Sequence, residues 1–257
     1  AQYDGGDAFD DRTITTLESY GLASVNALTS WWTSRLTAGE GSDESVSKTG
    51  FGDFPFRTRQ RQYAWQNEFD VASRLSQWNV TRALATLGVE RREERITSDD
   101  AFALTSRDTD AIFGSWQMVA GAHALQANLR HDESTQFNSR TTGAIAYGYR
   151  LSPAWRVSAS YGTAFKAPTF NDLYFPGFSN PDLVPERSKN IEGGVYWNGT
   201  YGGARLDASL VAYRNRLADM IVFACDADFN CAPQNIEHAT LTGATLSGSA
   251  AWHETTL

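Results

Sequence analysis

The chain has 257 residues, enough to bury a sizeable core as one domain or two. It is rich in Trp, Tyr and Phe and poor in Met and Pro, a mixture that fits pleated β-structure. The net charge of −8 argues against nucleic acid as a partner, because phosphate recognition needs a basic face.

The sequence predicts eleven strands in a regular rhythm. Several of them alternate apolar and polar side chains; in 155–165, Tyr161 and Phe165 fall on one face, and Arg156 and Ser158 fall on the other. The predicted strands are 13–28, 31–42, 60–75, 78–95, 107–120, 124–134, 140–151, 155–165, 188–198, 204–220 and 235–251.

The predicted connections alternate between short turns and longer loops. The short ones fall near 29–30, 76–77, 121–123, 152–154 and 199–203, whereas the longer ones fall near 43–59, 96–106, 166–187 and 221–234, with a shorter link at 135–139. No apolar run approaches the roughly 20 residues of a membrane-spanning helix, but a transmembrane strand needs only about 10 alternating residues. Short turns at one end and long loops at the other are typical of outer-membrane barrels.

Three of the short turns place a Trp at their exit. These turns are LTSWW at 28–32, LSQW at 75–78 and LSPAW at 151–155. Trp at one level of a barrel forms an aromatic girdle at the membrane–water interface, which is the interpretation that we favour. The competing interpretation is that these residues cap the core of a soluble β-sandwich.

Five segments carry a family resemblance. They are LRHDESTQF at 129–137, YGTAFKAPTFNDLY at 161–174, NPDLVPERSKNIEG at 180–193, YRNRLADMI at 213–221 and NIEHATLTG at 235–243. In this order they resemble the barrel of TonB-dependent outer-membrane receptors, and most closely the cobalamin (vitamin B12) receptor branch. The match is specific for the family and less specific for cobalamin over siderophores.

The resemblance implies an all-β, antiparallel up-and-down transmembrane β-barrel. Receptors of this kind have 22 strands, so the eleven predicted strands amount to about half of the wall. The N-terminus, AQYDGGDAFDD, shows no signal-peptide pattern. We therefore expect residues 1–257 to be a barrel segment, with the N-terminal plug domain and C-terminal barrel strands outside this chain.

The resemblance also suggests where a ligand binds. A large corrin-like ligand needs flat apolar contacts and adaptable polar ones, which favours the aromatic residues at the tip of the loop after 165. By contrast, we expect Pro181, Pro185, Glu186, Arg187 and Lys189 to shape the loop without touching ligand. The predicted ligand contacts are Ser134, Gln136, Phe137, Tyr174, Phe175 and Phe178.

The resemblance also raises calcium as a possible ligand of the loops. Cobalamin receptors often order their loops with Ca²⁺, which takes 6–8 oxygen ligands, so clustered carboxylates are the signal to look for. The spacing of the acidic residues matches the family poorly, and solvated loop acids are the competing interpretation. The candidate ligands are Asp43, Glu44, Asp99 and Asp100.

The two cysteines, Cys225 and Cys231, lie in a polar stretch with no accompanying His pair. We predict a small disulfide, which indicates an oxidising compartment; two free thiols in a reducing one are the alternative. Asp226 and Asp228, between the cysteines, are equally ambiguous as calcium ligands.

The predicted function is energy-coupled uptake of cobalamin or a related corrinoid across the outer membrane of a Gram-negative cell. The resemblance implies outer-membrane lipid as surroundings, long loops outside the cell, short turns in the periplasm, and coupling to the TonB complex through the missing plug. A ferric siderophore or another metal chelate is the alternative ligand, and a soluble β-sandwich binding module is the alternative class. The sequence carries no catalytic motif, so we expect no enzyme and no required cofactor.

Overall fold

The computed structural model describes residues 12–50, 52–225, 229 and 231–252, with the side chain of Glu237 excepted. These residues form one antiparallel sheet of eleven strands, in which every strand pairs with its neighbours along the chain. The first and last strands are therefore the two edges. This up-and-down order confirms the predicted fold class, a β-barrel wall built from consecutive hairpins.

Each of the eleven predicted strands is present, but the third ends at Asp70 rather than at 75, because a 3₁₀ segment takes the place of the predicted short turn at 76–77. The described part of the chain contains no helix that is long and apolar enough to cross a membrane. One short helix, α1 (Phe170–Tyr174), lies after β8, and a 3₁₀ segment, Ala72–Trp78, lies after β3. The strands are β1 (Arg12–Ala27), β2 (Trp32–Thr49), β3 (Gly52–Asp70), β4 (Val80–Ser98), β5 (Ser106–Ala120), β6 (His123–Ser134), β7 (Arg140–Arg150), β8 (Trp155–Lys166), β9 (Glu186–Tyr201), β10 (Ala204–Cys225) and β11 (Cys231–Trp252).

The connections fall alternately at two ends of the sheet. The turn end holds the links at 28–31, 71–79, 121–122, 151–154 and 202–203. The loop end holds those at 99–105, 135–139 and 167–185, together with the ends of β2 and β3 and of β10 and β11 at their hairpin tips. The longest connection, 167–185, lies at the loop end and contains α1.

Two predicted loops are wrong, because strands continue through them. The segment 43–59 belongs to the β2–β3 hairpin, whose register runs to Thr49 opposite Gly52. Pro55 is tolerated because β4 pairs with β3 only from Phe56 onward, which leaves the hairpin tip unpaired on that side. Likewise, 221–234 consists mainly of the ends of β10 and β11, and Pro233 lies on an edge strand, where a missing N–H is tolerated.

The register aligns residues of neighbouring strands so that they form one continuous face across the sheet. Directly opposed residues of an antiparallel pair point to the same side, whereas successive residues of one strand point to opposite sides. Trp116 opposes Ala127, Ala127 opposes Ile145, Ile145 opposes Tyr161 and Tyr161 opposes Ile191. The predicted alternation of β8 is therefore part of a face that continues through the whole sheet.

One of the two faces is apolar and uncovered. Its large side chains remain exposed: Leu129 has 61 % of its surface accessible, Ile145 has 50 % and Leu210 has 51 %. A water-exposed sheet would hide such a face in a core. This apolar face comprises Trp32, Leu36, Tyr63, Trp65, Leu87, Val89, Ile112, Trp116, Leu125, Leu129, Ile145, Tyr147, Val157, Tyr161, Ile191, Val195, Leu210 and Leu246.

The opposite face, the polar face, carries hydrogen-bonding and charged side chains. Arg130 donates to Glu90 at 2.7 Å and to Asp132 at 2.9 Å, while Gln62 donates to the other oxygen of Glu90 at 2.8 Å. Only 4 % of Asp132 is exposed, so this network compensates a buried carboxylate. Other members of the polar face are Gln60, Gln117, Gln126, Asn128, Ser158, Ser160, Asn190, Glu192, Asp207 and Ser247.

The tryptophans of the three predicted turns all lie at the turn end. Trp31 stays 37 % exposed, Trp78 63 % and Trp155 46 %. Trp155 packs beside Trp197 of the next strand, with ring centroids 6.5 Å apart. These residues do not cap a core, which removes the sandwich interpretation of the turns.

We predict that β7 tolerates an added methyl group at Gly148 but not at Gly143. A Cβ at Gly143 would lie 2.7 Å from the backbone oxygen of Asn128, whereas one at Gly148 would have 3.8 Å to its nearest neighbours. Gly143→Ala should therefore lower the free energy of unfolding by about 1–3 kcal/mol, and Gly148→Ala should change it by less than about 0.5 kcal/mol. Urea titration of the folded protein compares the two variants; equal losses would contradict the register.

Candidate functional site

The loop between β8 and β9 folds back on the sheet around α1. Thr169 caps this helix: its hydroxyl accepts from the backbone N–H of Asp172 at 3.1 Å, and the Asp172 carboxylate accepts from the backbone N–H of Thr169 at 2.8 Å. This capping box satisfies the free donors of the first turn. Phe170 and Leu173 face inward and are buried, so the loop has a small core of its own.

Arg107 is the residue that fixes the loop to the sheet. Its guanidinium donates to both carboxylate oxygens of Glu94, at 2.9 and 3.1 Å, and to the backbone oxygen of Pro168 at 2.9 Å. It also lies 5.6 Å from the ring centre of Phe137 and 5.2 Å from that of Phe170. One side chain thus joins β4, β5, the 135–139 link and α1.

The Arg107 side chain is only 7 % exposed, which makes these contacts costly to lose. The fork of the guanidinium matches the carboxylate of Glu94 in a two-bond arrangement, and aromatic rings cover its faces. Removing one partner of such a pair leaves the other poorly solvated. The position of the loop therefore depends on a charge whose role no local sequence motif indicates.

Three contacts tie the other half of the loop to β10 and β11. Asn235 accepts from the backbone N–H of Val184 at 2.9 Å and donates to the backbone oxygen of the same residue at 3.0 Å. Asn180 donates to the backbone oxygen of Pro233 at 3.1 Å. Glu186 accepts from the backbone N–H of Ile221 at 2.8 Å.

The charged residues that follow the loop behave largely as expected. Besides the Glu186 contact, Arg187 pairs with Asp219 at 2.6 Å, so both shape the entry into β9. Lys189 differs, because it points to the apolar face and makes no ion pair within the described part of the chain.

A cavity of about 700 Å³ opens on the polar face at the loop end, beside α1. The strands β1 to β5 form its wall, and α1 closes one side. Its lining combines carboxylates, a guanidinium, amides and aromatic rings, which suits a ligand that has both flat apolar parts and hydrogen-bonding groups. Lining side chains include Asp43, Phe56, Thr58, Gln60, Glu94, Arg107, Phe170 and Asn171.

A row of four aromatic rings runs from this cavity to the tip of the loop. Phe56 lies 5.9 Å from Phe102, Phe102 lies 6.1 Å from Phe175, and Phe175 lies 6.5 Å from Phe178, measured between ring centres. Phe178 at the outer end is 55 % exposed. The row offers a flat apolar surface that leads into a polar cavity.

The structure brings most of the predicted ligand contacts together. Gln136 donates to the Tyr174 hydroxyl at 2.6 Å, and Ser134 accepts from the backbone N–H of Gln136 at 3.3 Å. Phe137 covers Arg107. Tyr174, Gln136 and Phe137 thus surround the anchor of the loop, while Phe175 and Phe178 belong to the aromatic row. Ligand contact by any of them stays a prediction.

Sequence reasoning missed Phe56, Phe102, Arg107 and Phe170. The only available signal was the alternation of β3 and β5, which places Phe56 and Arg107 on the polar face. A phenylalanine or a buried arginine on a polar face is an exception that invites a functional explanation.

The calcium candidates do not form one ligand set. Asp43 lines the cavity on the polar face, whereas Glu44, the next residue of β2, points to the opposite side. Asp100 follows Asp99 in the 99–105 loop, and its carboxylate accepts a hydrogen bond from the hydroxyl of Ser98. Among the described residues, no three acidic, His or Cys side chains gather as metal ligands. Calcium binding stays a prediction, and Asp226 and Asp228 lie outside the described residues.

The cysteines form the predicted disulfide. Cys225 and Cys231 are bonded and lie directly opposite each other at the ends of β10 and β11. The bond therefore closes the tip of a long hairpin, rather than a ring within a free loop.

The sequence of the chain matches the model of a known protein family. The whole chain, residues 1–257, matches the family model described as TonB dependent receptor-like, beta-barrel. The chain belongs to the TonB-dependent receptor family. Its sheet is barrel wall of such a receptor, and the site described above lies on the polar face of that wall, at the loop end.

Curated relatives of this barrel are vitamin B12 transporters. The chain is 27 % identical over 227 residues to the vitamin B12 transporter BtuB of Photobacterium profundum, covering 85 % of this chain and 35 % of that protein. It is 33 % identical over 175 residues to BtuB of Vibrio vulnificus, covering 66 % of this chain and 28 % of that protein. The chain thus spans about a third of the length of these relatives.

Solved structures share the fold at low sequence identity. The siderophore receptor PirA of Acinetobacter baumannii has a TM-score of 0.72 at 16 % identity, covering 93 % of this chain and 42 % of PirA. The hemophore receptor HasR of Serratia marcescens has a TM-score of 0.73 at 16 % identity, covering 93 % of this chain and 46 % of HasR. At this identity the likeness establishes the fold alone.

We predict that Arg107→Gln loosens the loop of this receptor barrel. Without the guanidinium, α1 loses its bond at Pro168, and amide hydrogen exchange across 168–178 should quicken by about 10-fold or more, the equivalent of roughly 1.4 kcal/mol or more. Arg92→Gln is the matched control, because Arg92 faces the same Glu94 at 3.9 Å. Equal exchange in the two variants would contradict the role of Arg107.

Proposed function

We propose that this chain is a wall segment of an outer-membrane receptor that takes up cobalamin or a related corrinoid in a TonB-dependent manner. The apolar face meets lipid, the polar face lines a wet interior, and the loop end lies outside the cell. The proposal rests above all on the uncovered apolar face, because large exposed side chains such as Ile145 and Leu210 need hydrocarbon beside them.

The arrangement of the two ends supports this orientation. Tryptophans cluster at the turn end, as expected of side chains at a membrane interface. The long loop with its cavity lies at the other end. Outer-membrane barrels keep short turns in the periplasm and long loops outside, which gives the ligand access to the cavity.

In this proposal, the whole receptor contains further parts that are not in this chain. The relatives named above are about three times longer than the matched segment, which leaves room for an N-terminal plug domain and further barrel strands. The plug fills the interior, faces the polar face and contacts the TonB complex. The wall contributes a rigid ladder and part of the binding site, and no catalytic step.

The corrinoid assignment draws on two observations. The curated relatives above are named as vitamin B12 transporters. The aromatic row and the adjoining cavity combine a flat apolar surface with amides and carboxylates, which suits a large ring with polar substituents. The proposed contacts are those of the sequence prediction, together with Phe56 and Phe102.

A ferric siderophore is the second candidate ligand. The same wall occurs in receptors for siderophores and haem, so the fold alone does not choose between the ligands. The amide and hydroxyl groups of the cavity, such as those of Gln60 and Thr58, would also suit a hydrogen-bonding chelate. Direct binding measurements separate the two candidates.

The membrane assignment predicts an asymmetric response to charge on the two faces of β7. Ile145→Arg places a cation against hydrocarbon and should cost about 2–4 kcal/mol. Ala146→Arg, on the polar face, is the matched control and should cost less. Urea titration of the receptor folded into lipid vesicles measures both variants, and a larger loss for Ala146→Arg would refute the assignment of the faces.

The ligand assignment predicts saturable binding of cyanocobalamin by the whole receptor and weaker binding of ferric siderophores. Phe178→Ala should weaken cyanocobalamin binding by roughly 10-fold, because the outermost ring of the aromatic row is lost. Phe223→Ala is the control, since Phe223 is at least as exposed, at 62 %, but lies on the β10–β11 hairpin. A receptor that binds siderophore and no corrinoid would end the cobalamin assignment and leave the family intact.

A further inference from the structure

A belt of charged side chains borders the apolar face at the loop end. Toward the loop end, the next residue on the same face changes from apolar to charged: from Tyr63 to Arg61 on β3, and from Val89 to Arg91 on β4. The same change occurs from Ile191 to Lys189 on β9 and from Ala212 to Arg214 on β10. On these strands the belt marks the level at which apolar surroundings end, whereas on β7 and β8 the equivalent positions hold Gly143 and Thr163.

In β2 to β5 the belt compensates its own charge. Arg61 lies 2.6 Å from the carboxylate of Glu40. Arg91 lies 3.0 Å and Arg95 2.6 Å from the carboxylate of Asp108. This part of the belt needs no counter-ion from outside the chain.

In β9 and β10 the belt is not compensated. Lys189, Arg214 and Arg216, which we call the cationic patch, are all exposed. Lys189 opposes Arg216 directly in the register, a placement of like charges that destabilises a sheet. No ion pair or side-chain hydrogen bond reaches any of the three from the described residues.

The neighbours of the cationic patch add no negative charge on that face. Thr163 opposes Lys189 on β8, and on β11 Thr240 opposes Arg216 and Thr242 opposes Arg214. The acids nearest in sequence do not compensate it: Glu186 and Glu192 of β9 point to the polar face, and Asp219 of β10 is paired with Arg187 at 2.6 Å. The cationic patch is therefore three positive charges with a rim of hydroxyl groups.

We propose that the cationic patch binds the phosphate groups of a phosphorylated glycolipid in the outer leaflet. This inference rests on the proposed membrane location, with the loop end outside. Guanidinium groups bind phosphate through paired hydrogen bonds, and basic clusters at the membrane surface recognise anionic headgroups. Ile191 and Leu210, next on the same face, contact the acyl chains, so headgroup and chains meet matching surfaces.

The test uses the whole receptor in detergent, titrated with diphosphoryl lipid A and, separately, with the same lipid after removal of both phosphates. Native mass spectrometry measures the concentration at which half of the receptor retains lipid. We expect wild type to retain the diphosphoryl form at a concentration at least about 10-fold lower.

Variants locate the binding to the patch. K189Q/R214Q/R216Q should weaken retention of diphosphoryl lipid A by roughly 10- to 100-fold, whereas K189R/R214K/R216K should keep it within about 3-fold. The control R35Q/R82Q/R205Q removes the same charge from exposed positions on the polar face and should leave retention unchanged. Migration as a folded barrel before heating establishes that each variant is native.

Three results would overturn the proposal: equal retention of the two lipids by wild type, full retention by K189Q/R214Q/R216Q, or an equal loss in the control. These results leave the proposed function standing if the receptor still inserts into vesicles. A receptor that retains no lipid of either kind and does not insert overturns the membrane assignment together with this inference.

Discussion

The sheet depends on lateral hydrogen bonding between neighbouring strands in a fixed register. Each interior strand satisfies its backbone groups with the strands on both sides, so no polar backbone has to face a layer above or below. Side chains are then free to differ completely between the two faces. A slip of one residue in any pair would reverse both faces of that strand, which is why the register, rather than a packed core, defines this molecule.

The buried apolar side chains of the described residues reinforce that view. Phe170, Leu173 and Leu183 belong to the β8–β9 loop, whereas those on the strands are three alanines together with Val80 and Ile96. The loop, unlike the wall, is held by packing and by a buried ion pair between Arg107 and Glu94. A rigid wall thus carries one locally folded segment, and that segment shapes the cavity in which we place the ligand. Rigid support for a binding loop keeps the cost of ordering low when ligand arrives.

The strands could be predicted because alternation is a local property of the sequence. Tyr161 and Ser160 differ in polarity for the same reason that they point to opposite faces. The tips of the β2–β3 and β10–β11 hairpins were not predicted as strand, because Pro55 and Pro233 usually indicate loops. A proline is tolerated in a strand where one side has no partner strand. Whether a partner is present depends on how far the neighbouring strand extends, and the local sequence does not show that.

The site was predicted in part for a related reason. Tyr174, Phe175 and Phe178 lie in a segment of recognisable composition, so the sequence could suggest them as ligand contacts, which stays a prediction. Arg107 and Phe102 reach the same site from other strands and loops, and only three-dimensional contacts connect them with α1. Asn235 joins the loop to β11 across 51 positions of sequence, a pairing without any sequence signal.

The central claim is that one face of the sheet contacts hydrocarbon and the other contacts water. Nitroxide labels placed singly at positions 156 to 161 of β8 test it directly, and the native cysteines do not interfere because they are bonded to each other. In lipid vesicles, collision with oxygen should peak at the odd-numbered positions, and collision with a water-soluble nickel complex should peak at the even-numbered ones. Accessibility without a two-residue period, or with the opposite phase, would contradict the account.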